Sequence, residues 1–161
     1  MKRVTIYFII LLSLVLMNGC SQSSDSEMDL FQYKGSYVGD NSAVGNIVNN
    51  LAHNEELIQI ALETTTEPYG MILKYKDLNM EREDKNLKEI VISNSTFIFT
   101  LIENVDWITF QFPDEEFTVT KEKLQEWYNN KLDQLDSEQE VKKLIQEKLK
   151  SDDDVNHLFT I

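Results

Sequence analysis

Periodicity and turn chemistry predict an α+β domain: a small antiparallel sheet of two hairpins, helices packed on one side of it, and further helices at the C-terminal end. Three observations carry that expectation. Two pairs of short, strand-like segments are each joined by turn-forming residues, a long stretch between the pairs keeps a helical spacing, and the chain after Thr120 holds two Ser/Thr-capped amphipathic runs. A length of 161 residues suits one compact domain. With 42% hydrophobic and 10% aromatic residues, five Gly and two Pro, the composition is globular and neither disordered nor collagen-like.

The first twenty residues read as an address. Lys2 and Arg3 precede Val4 to Met17, a stretch apolar except for Thr5 and Ser13. That is a signal-peptide core, too short for the roughly 20 residues that cross about 30 Å of hydrocarbon. The following Met17-Asn18-Gly19-Cys20 resembles the lipobox of bacterial lipoproteins. The resemblance implies cleavage before Cys20, transfer of a diacylglyceryl group to its thiol and acylation of the freed amine. Met17 and Asn18 stand where that family more often has Leu and a small or β-branched residue. The plainer alternative is a free cysteine beside an ordinary cleavage site. Two or more acyl chains would hold the protein on a membrane, where one is marginal. As the only cysteine, Cys20 also excludes an intrachain disulfide and any CxxC motif.

The domain plan is therefore a signal peptide at 1–19, a lipidated Cys and flexible tether at 20–29, and one α+β domain at 30–161. Ser21 to Asp29 is small, polar and acidic, without the apolar side chains that offset ordering entropy. Within the domain, Asp40, Asn41 and Ser42 are N-cap types ahead of Val44, Ile47, Val48 and Leu51, which predicts a short first helix. Leu57–Thr65 and Met71–Tyr75 flank Glu67-Pro68-Tyr69-Gly70, which predicts a hairpin. Phe97, Ile98 and Phe99 have strand propensity. Leu87, Ile90, Val91, Asn94, Phe97, Ile98, Leu101 and Ile102 nevertheless fall at helical intervals, and a helix is preferred there.

Trp107–Phe112, the turn Pro113-Asp114-Glu115-Glu116 and Phe117–Val119 predict a second hairpin. Thr120 is expected to cap one helix carrying Leu124, Trp127, Tyr128, Leu132 and Leu135. Ser137-Glu138-Gln139-Glu140 is a capping-box pattern opening another, with Val141, Leu144, Ile145 and Leu149. The tail beyond Lys150 is expected to be irregular.

Three stretches are similar to a known family: Tyr37-Val38-Gly39-Asp40-Asn41-Ser42-Ala43-Val44-Gly45-Asn46, Glu67-Pro68-Tyr69-Gly70, and Asn94 to Asp106. They resemble the bacterial domain-of-unknown-function family numbered 4825 over roughly Phe31 to Leu132. That family occurs in Gram-positive lipoproteins and beside membrane metallopeptidase sensors of antibiotics. The resemblance names no reaction and implies, by analogy, an extracytoplasmic signalling or binding role. The chain has no HExxH, so the peptidase half of such sensors is absent.

Charge narrows the partners. The chain has 28 Asp plus Glu against 15 Lys plus Arg, a formal charge of −13 that becomes −15 once residues 1–19 leave. Nucleic acid, which needs a basic footprint, is excluded as a partner. Solubility explains the acidity more simply than attraction of a cationic ligand or an envelope protein does.

Catalytic constellations are scarce. Besides Cys20, nucleophilic chemistry has only His53 and His157 to draw on. His53 is expected to stabilise the end of the first helix, and His157 to lie in an exposed tail. A carboxylate-only hydrolase needs two acids about 5 to 10 Å apart across a cleft, which so acidic a chain provides somewhere without meaning. Asp152-Asp153-Asp154 lacks the Gly turn and closing Glu of a calcium loop. No metal or cofactor is expected. Gly39, Asp40, Asn41, Ser42 and Gly45 bracket a helix start that could bind an anion, although the Asp40 carboxylate would itself occupy that position. Asn94, on the apolar stripe, should have a partner if buried, and Asn104 and Asp106 should satisfy a helix-to-strand turn. The expected function is a membrane-tethered, non-enzymatic binding or sensor-accessory module. A small carboxylate hydrolase and a structural subunit of a membrane complex are the alternatives.

Overall fold

The structure, a computed structural model, describes residues 28–78 and 84–160. The expected signal peptide, Cys20 and the tether up to residue 27 lie outside the described residues. The chain runs through a 3-10 turn (Leu30–Tyr33), α1 (Asn41–Val48), a second 3-10 turn (Asn54–Glu56), β1 (Leu57–Glu63), β2 (Gly70–Tyr75) and α2 (Asp84–Leu101). It continues through β3 (Trp107–Gln111), β4 (Glu116–Thr120), α3 (Lys121–Trp127), a third 3-10 turn (Leu132–Gln134), α4 (Glu138–Lys148) and α5 (Asp152–Phe159).

Both hairpins form. β1 and β2 pair antiparallel, with Leu62 opposite Met71, and so do β3 and β4, with Ile108 opposite Val119. The hairpins join through a parallel pair in which Met71 faces Ile108 and Leu73 faces Phe110, giving the order β1-β2-β3-β4. The α+β class with helices on one side is therefore as expected, while the sheet as a whole is mixed. Parallel neighbours require a long crossover, and the 18-residue α2 is that crossover.

Alternation divides the sheet into two faces. Met71, Leu73, Tyr75, Ile108, Phe110 and Val119 are buried toward the helices, whereas Gln59, Glu63, Lys74, Glu116 and Thr118 are exposed on the other side. Each fully buried aliphatic or aromatic side chain contributes about 1.5–3 kcal/mol relative to exposure.

Burial on α2 is not confined to one stripe. From Ile90 through Ile102, every residue except the half-buried Ser93 is buried. The sheet takes one side, and α1, α4, α5 and the first and third 3-10 turns lie against the helix elsewhere. A helix enclosed in this way must satisfy its own polar side chains, and three of them bond back to the preceding turn. Thr96 Oγ1 donates to the Ile92 carbonyl (2.6 Å), Ser95 Oγ to the same carbonyl (3.2 Å) and Thr100 Oγ1 to the Thr96 carbonyl (2.8 Å). Thr96 Oγ1 also meets Tyr128 Oη at 3.0 Å.

Two expectations for the C-terminal part are corrected. The helix capped by Thr120 ends at Trp127 and does not reach Leu135, because Asn129 and Asn130 both take left-handed backbone (φ 54° and 57°), which Asn tolerates better than most residues. Leu132 and Leu135 still enter the core, delivered by the third 3-10 turn. The tail beyond Lys150 is helical rather than irregular. Ser151 Oγ accepts from the Asp154 amide, Asp152, Asp153 and Asp154 complement the positive end of α5, and Val155 and Leu158 are buried. The capping box at Ser137 forms with a shifted return bond: Ser137 Oγ accepts from the Glu140 amide, and Glu140 Oε2 accepts from the Asp136 amide.

Gly70 is required by a close approach. Its register partner Trp107 lays its indole over it, and a Cβ at position 70 would fall 2.1 Å from Trp107 Cε2. The indole is held there by Nε1, which donates to the Pro68 carbonyl at 3.1 Å. Gly70→Ala is expected to lower stability by about 1–3 kcal/mol through overpacking, read as a lower urea midpoint at unchanged slope.

Burial pushes the Tyr128 phenol above its ordinary value of 10.0, with the Thr96 hydrogen bond acting weakly the other way, and Tyr75 is raised for the same reason against a bond from Asn94. Above pH 10 the unfolded chain loses these protons before the native state does. The stability they contribute is present below about pH 10 and is lost as pH rises through the raised native values. The urea midpoint is expected to fall progressively above about pH 10, and Tyr128→Phe to flatten part of that fall.

Candidate functional site

A cleft of about 410 Å³ opens where four pieces of chain meet. Helix α2 supplies Ser93, Asn94 and Phe97, and the segment after α1 supplies Asn50, Leu51 and Ala52. The first 3-10 turn and its approach supply Met28 and Leu30, while α4 supplies Glu138, Lys142, Ile145 and Gln146. On α4 these positions are spaced by four, three and one, so a single helix face lines the wall.

Polar contacts hold the N-terminal segment against α4. The Leu30 amide donates to Glu138 Oε1 at 2.6 Å, and Glu138 Oε2 lies 3.2 Å from Lys142 Nζ. Lys34 Nζ donates to the Leu135 carbonyl (2.6 Å) and pairs with Asp136 Oδ1 (2.7 Å). The segment that holds Met28 and Leu30 is thus one wall of the cleft. Leu30 is almost fully buried, which adds apolar attachment to these bonds.

Asn94 stands among the lining residues with only 1% of its surface exposed. Its Nδ2 donates to the Ala52 carbonyl at 3.0 Å and to Tyr75 Oη at 3.4 Å. Its Oδ1 has no hydrogen-bond partner among the described residues. The expectation that a buried Asn94 finds a partner is therefore met at the amide nitrogen and unmet at the oxygen.

The other described residues singled out in the sequence lie elsewhere, and none of them lines the cleft. Asp40 Oδ1 accepts from the Ser42 and Ala43 amides, both at 3.0 Å, so the carboxylate occupies the start of α1 where an anion would sit. A cap of this kind contributes about 0.5–2 kcal/mol. Asn41 and Ser42 are exposed on the first turn, and Gly39 and Gly45 have open space where a Cβ would be.

Asn104 Oδ1 accepts from the Val38 amide (2.7 Å) and Asp106 Oδ2 from the Tyr69 amide (2.8 Å). Instead of closing a local turn, the two side chains tie the α2–β3 connection to segments 66 and 37 residues away. His53 does not stabilise the end of α1. It takes left-handed backbone ahead of the second 3-10 turn, with Nδ1 3.5 Å from Glu56 Oε2. His157 is exposed in the last turn of α5.

Chemically, the cleft joins apolar side chains to a few polar groups. Its described lining has six apolar residues and one acid, Glu138, whose two oxygens are engaged, and it includes no His. Among the described residues there is no group of three His, Cys, Asp or Glu able to hold a metal ion, and no helix is long and apolar enough to cross a membrane. Of the twelve lining residues, sequence reasoning singled out Asn94 alone and did not assign the other eleven, Leu51, Phe97 and Ile145 among them, to a site. Several of them carried a helical-stripe signal, but that signal does not distinguish a core position from a cleft wall.

A family model described as "Domain of unknown function (DUF4825)" matches residues 30–123, which is 94 of the chain's 161 residues. No curated protein and no solved structure matches the chain. The matched segment runs from the first 3-10 turn into α3 and includes Leu30, Asn50, Leu51, Ala52, Ser93, Asn94 and Phe97 of the cleft. The wall supplied by α4 lies beyond it.

Proposed function

Because this chain belongs to the DUF4825 family, whose description names no reaction, we propose a function from its own residues: a lipid-tethered, extracytoplasmic binding module, non-enzymatic, that serves as a sensor accessory in the cell envelope. The observation that carries the binding role is the cleft between α2 and α4, concave and mostly apolar, with a few convergent polar groups and no proton-transfer pair in its described lining. A hydrolase would instead require two facing carboxylates, and Glu138 is the one acid on that lining.

The tether follows from Lys2, Arg3, the apolar stretch to Met17 and Cys20. Seven residues lie between Cys20 and Met28, and the eight Cα–Cα steps reach at most about 29 Å when fully extended. Lipid on Cys20 would therefore keep the cleft, whose wall includes Met28, close to the membrane surface.

Two measurements test this. Cys20→Ser is expected to move the protein from the membrane fraction to the medium or to leave the precursor uncleaved, and unchanged fractionation with membranes would overturn the anchor. A photoactivatable phenylalanine in place of Ser93, irradiated on intact cells, is expected to carry one discrete small-molecule mass adduct. Adducts to protein alone would favour the structural-subunit reading, and no adduct would count against binding altogether.

A further inference from the structure

We infer that the outer edge of β1 is an interface between two copies of this chain, which pair antiparallel about a two-fold axis at Ala61 and continue one sheet through both domains. The inference goes beyond the binding reading above and does not rest on it. β1 lies at one end of the strand order, and among the described residues β2 is its one strand neighbour. Its other edge presents backbone N–H and C=O groups for a further strand to take. The opposite edge strand, β4, runs directly into α3 and packs against α2 and α3. Natural edges are often blunted by Lys or Pro, and β1 has neither; its one charged residue is Glu63, at its end. The apolar side chains of β1 are incompletely covered. Ile60 and Leu62 oppose the fully buried Leu73 and Met71 but are themselves only half-buried, and Ile58 is 58% exposed.

The register of β1 selects a second copy as the occupant. Leu57 opposes Tyr75 and Gln59 opposes Lys74, so Ile58 is a bulge, and regular pairing runs from Gln59 to Glu63 with Ala61 at its centre. Opposite residues of an antiparallel pair share a face, so a continuous symmetric sheet needs its axis at a residue and not between two. With the axis at Ala61, each Ile60 meets the partner's Leu62 on the face toward the helices. On the other face Ala61 meets the partner's Ala61, and each Gln59 amide donates to the partner's Glu63. That register joins apolar to apolar and donor to acceptor, and no like charges meet within it. A contact of one short strand is small, and each chain carries a formal charge of −13, so the dimer is weak and tightens as salt screens the repulsion.

The test is sedimentation equilibrium of the chain from residue 20 onward carrying Cys20→Ser, which retains every described residue. A monomer–dimer equilibrium with a dissociation constant below about 1 mM is expected, tightening at least about threefold between about 0.05 and about 0.5 M salt. Gln59 is exposed, so its variants leave the core intact. Gln59→Glu sets carboxylate against carboxylate at both ends of the pairing and is expected to weaken the dimer at least about threefold. Gln59→Lys is expected to tighten it, by more than Gln139→Lys, an equal charge change at an exposed position on α4. In the same background Ala61→Cys is expected to form an interchain disulfide faster than Glu63→Cys. Residues on the axis lie about 4.5–5.5 Å apart, within disulfide reach, whereas those two positions from it are roughly 14 Å apart. A chain that stays monomeric at both salt concentrations overturns the inference and leaves the edge to a strand of another protein. A dimer that ignores Gln59→Glu, or that cross-links Glu63→Cys as fast as Ala61→Cys, overturns this interface.

Discussion

The enclosure of α2 is the constraint on which the rest of the structure depends. The helix that carries the chain from β2 to β3 also forms the centre of the domain, with the sheet on one side and the N-terminal turn and C-terminal helices around it. Such a helix cannot leave polar side chains to water. Ser95, Thr96 and Thr100 meet this demand by bonding to carbonyls one turn back, and Tyr128 adds its hydroxyl to Thr96. An Asn side chain has both donors and an acceptor to place, and on α2 Asn94 places only the donors. Its oxygen is left buried and unpaired among the described residues.

The covering elements come from both ends of the domain. The first 3-10 turn is fastened to α4 through Leu30 and Glu138, and through Lys34 and the Leu135–Asp136 segment, contacts that span more than a hundred residues. The α4 wall lies outside the segment matched by the family model, so the matched part of the chain leaves the cleft open on that side.

Local chemistry explains most of what was legible beforehand. The caps at Asp40, Thr120 and Ser137 act where expected because each is a bond between residues two or three apart. The hairpins were readable from alternation broken by Pro68-Tyr69-Gly70 and by Pro113-Asp114. The helix over 84–101 was readable because its spacing outweighed the strand propensity of Phe97, Ile98 and Phe99. The failures also have local causes. Leu132 and Leu135 continue a helical spacing across Asn129 and Asn130, whose left-handed backbone interrupts the helix without disturbing the burial pattern. The triple Asp after Ser151 reads as a solvated acid run until it is seen as the first turn of a helix whose Val155 and Leu158 are buried.

The sequence by itself determined the hairpins, the caps, most helix bounds, the acidity of the domain and the lipobox-like start, because each depends on residues within a few positions of one another. It did not determine that the hairpins would join in parallel, that Asn104 and Asp106 would bond to distant amides, or that Asn94 would be buried with its oxygen unpaired. Those outcomes depend on which faces of separate elements meet. Periodicity reports that a face is apolar, but only tertiary packing decides what covers it and where the cover stops.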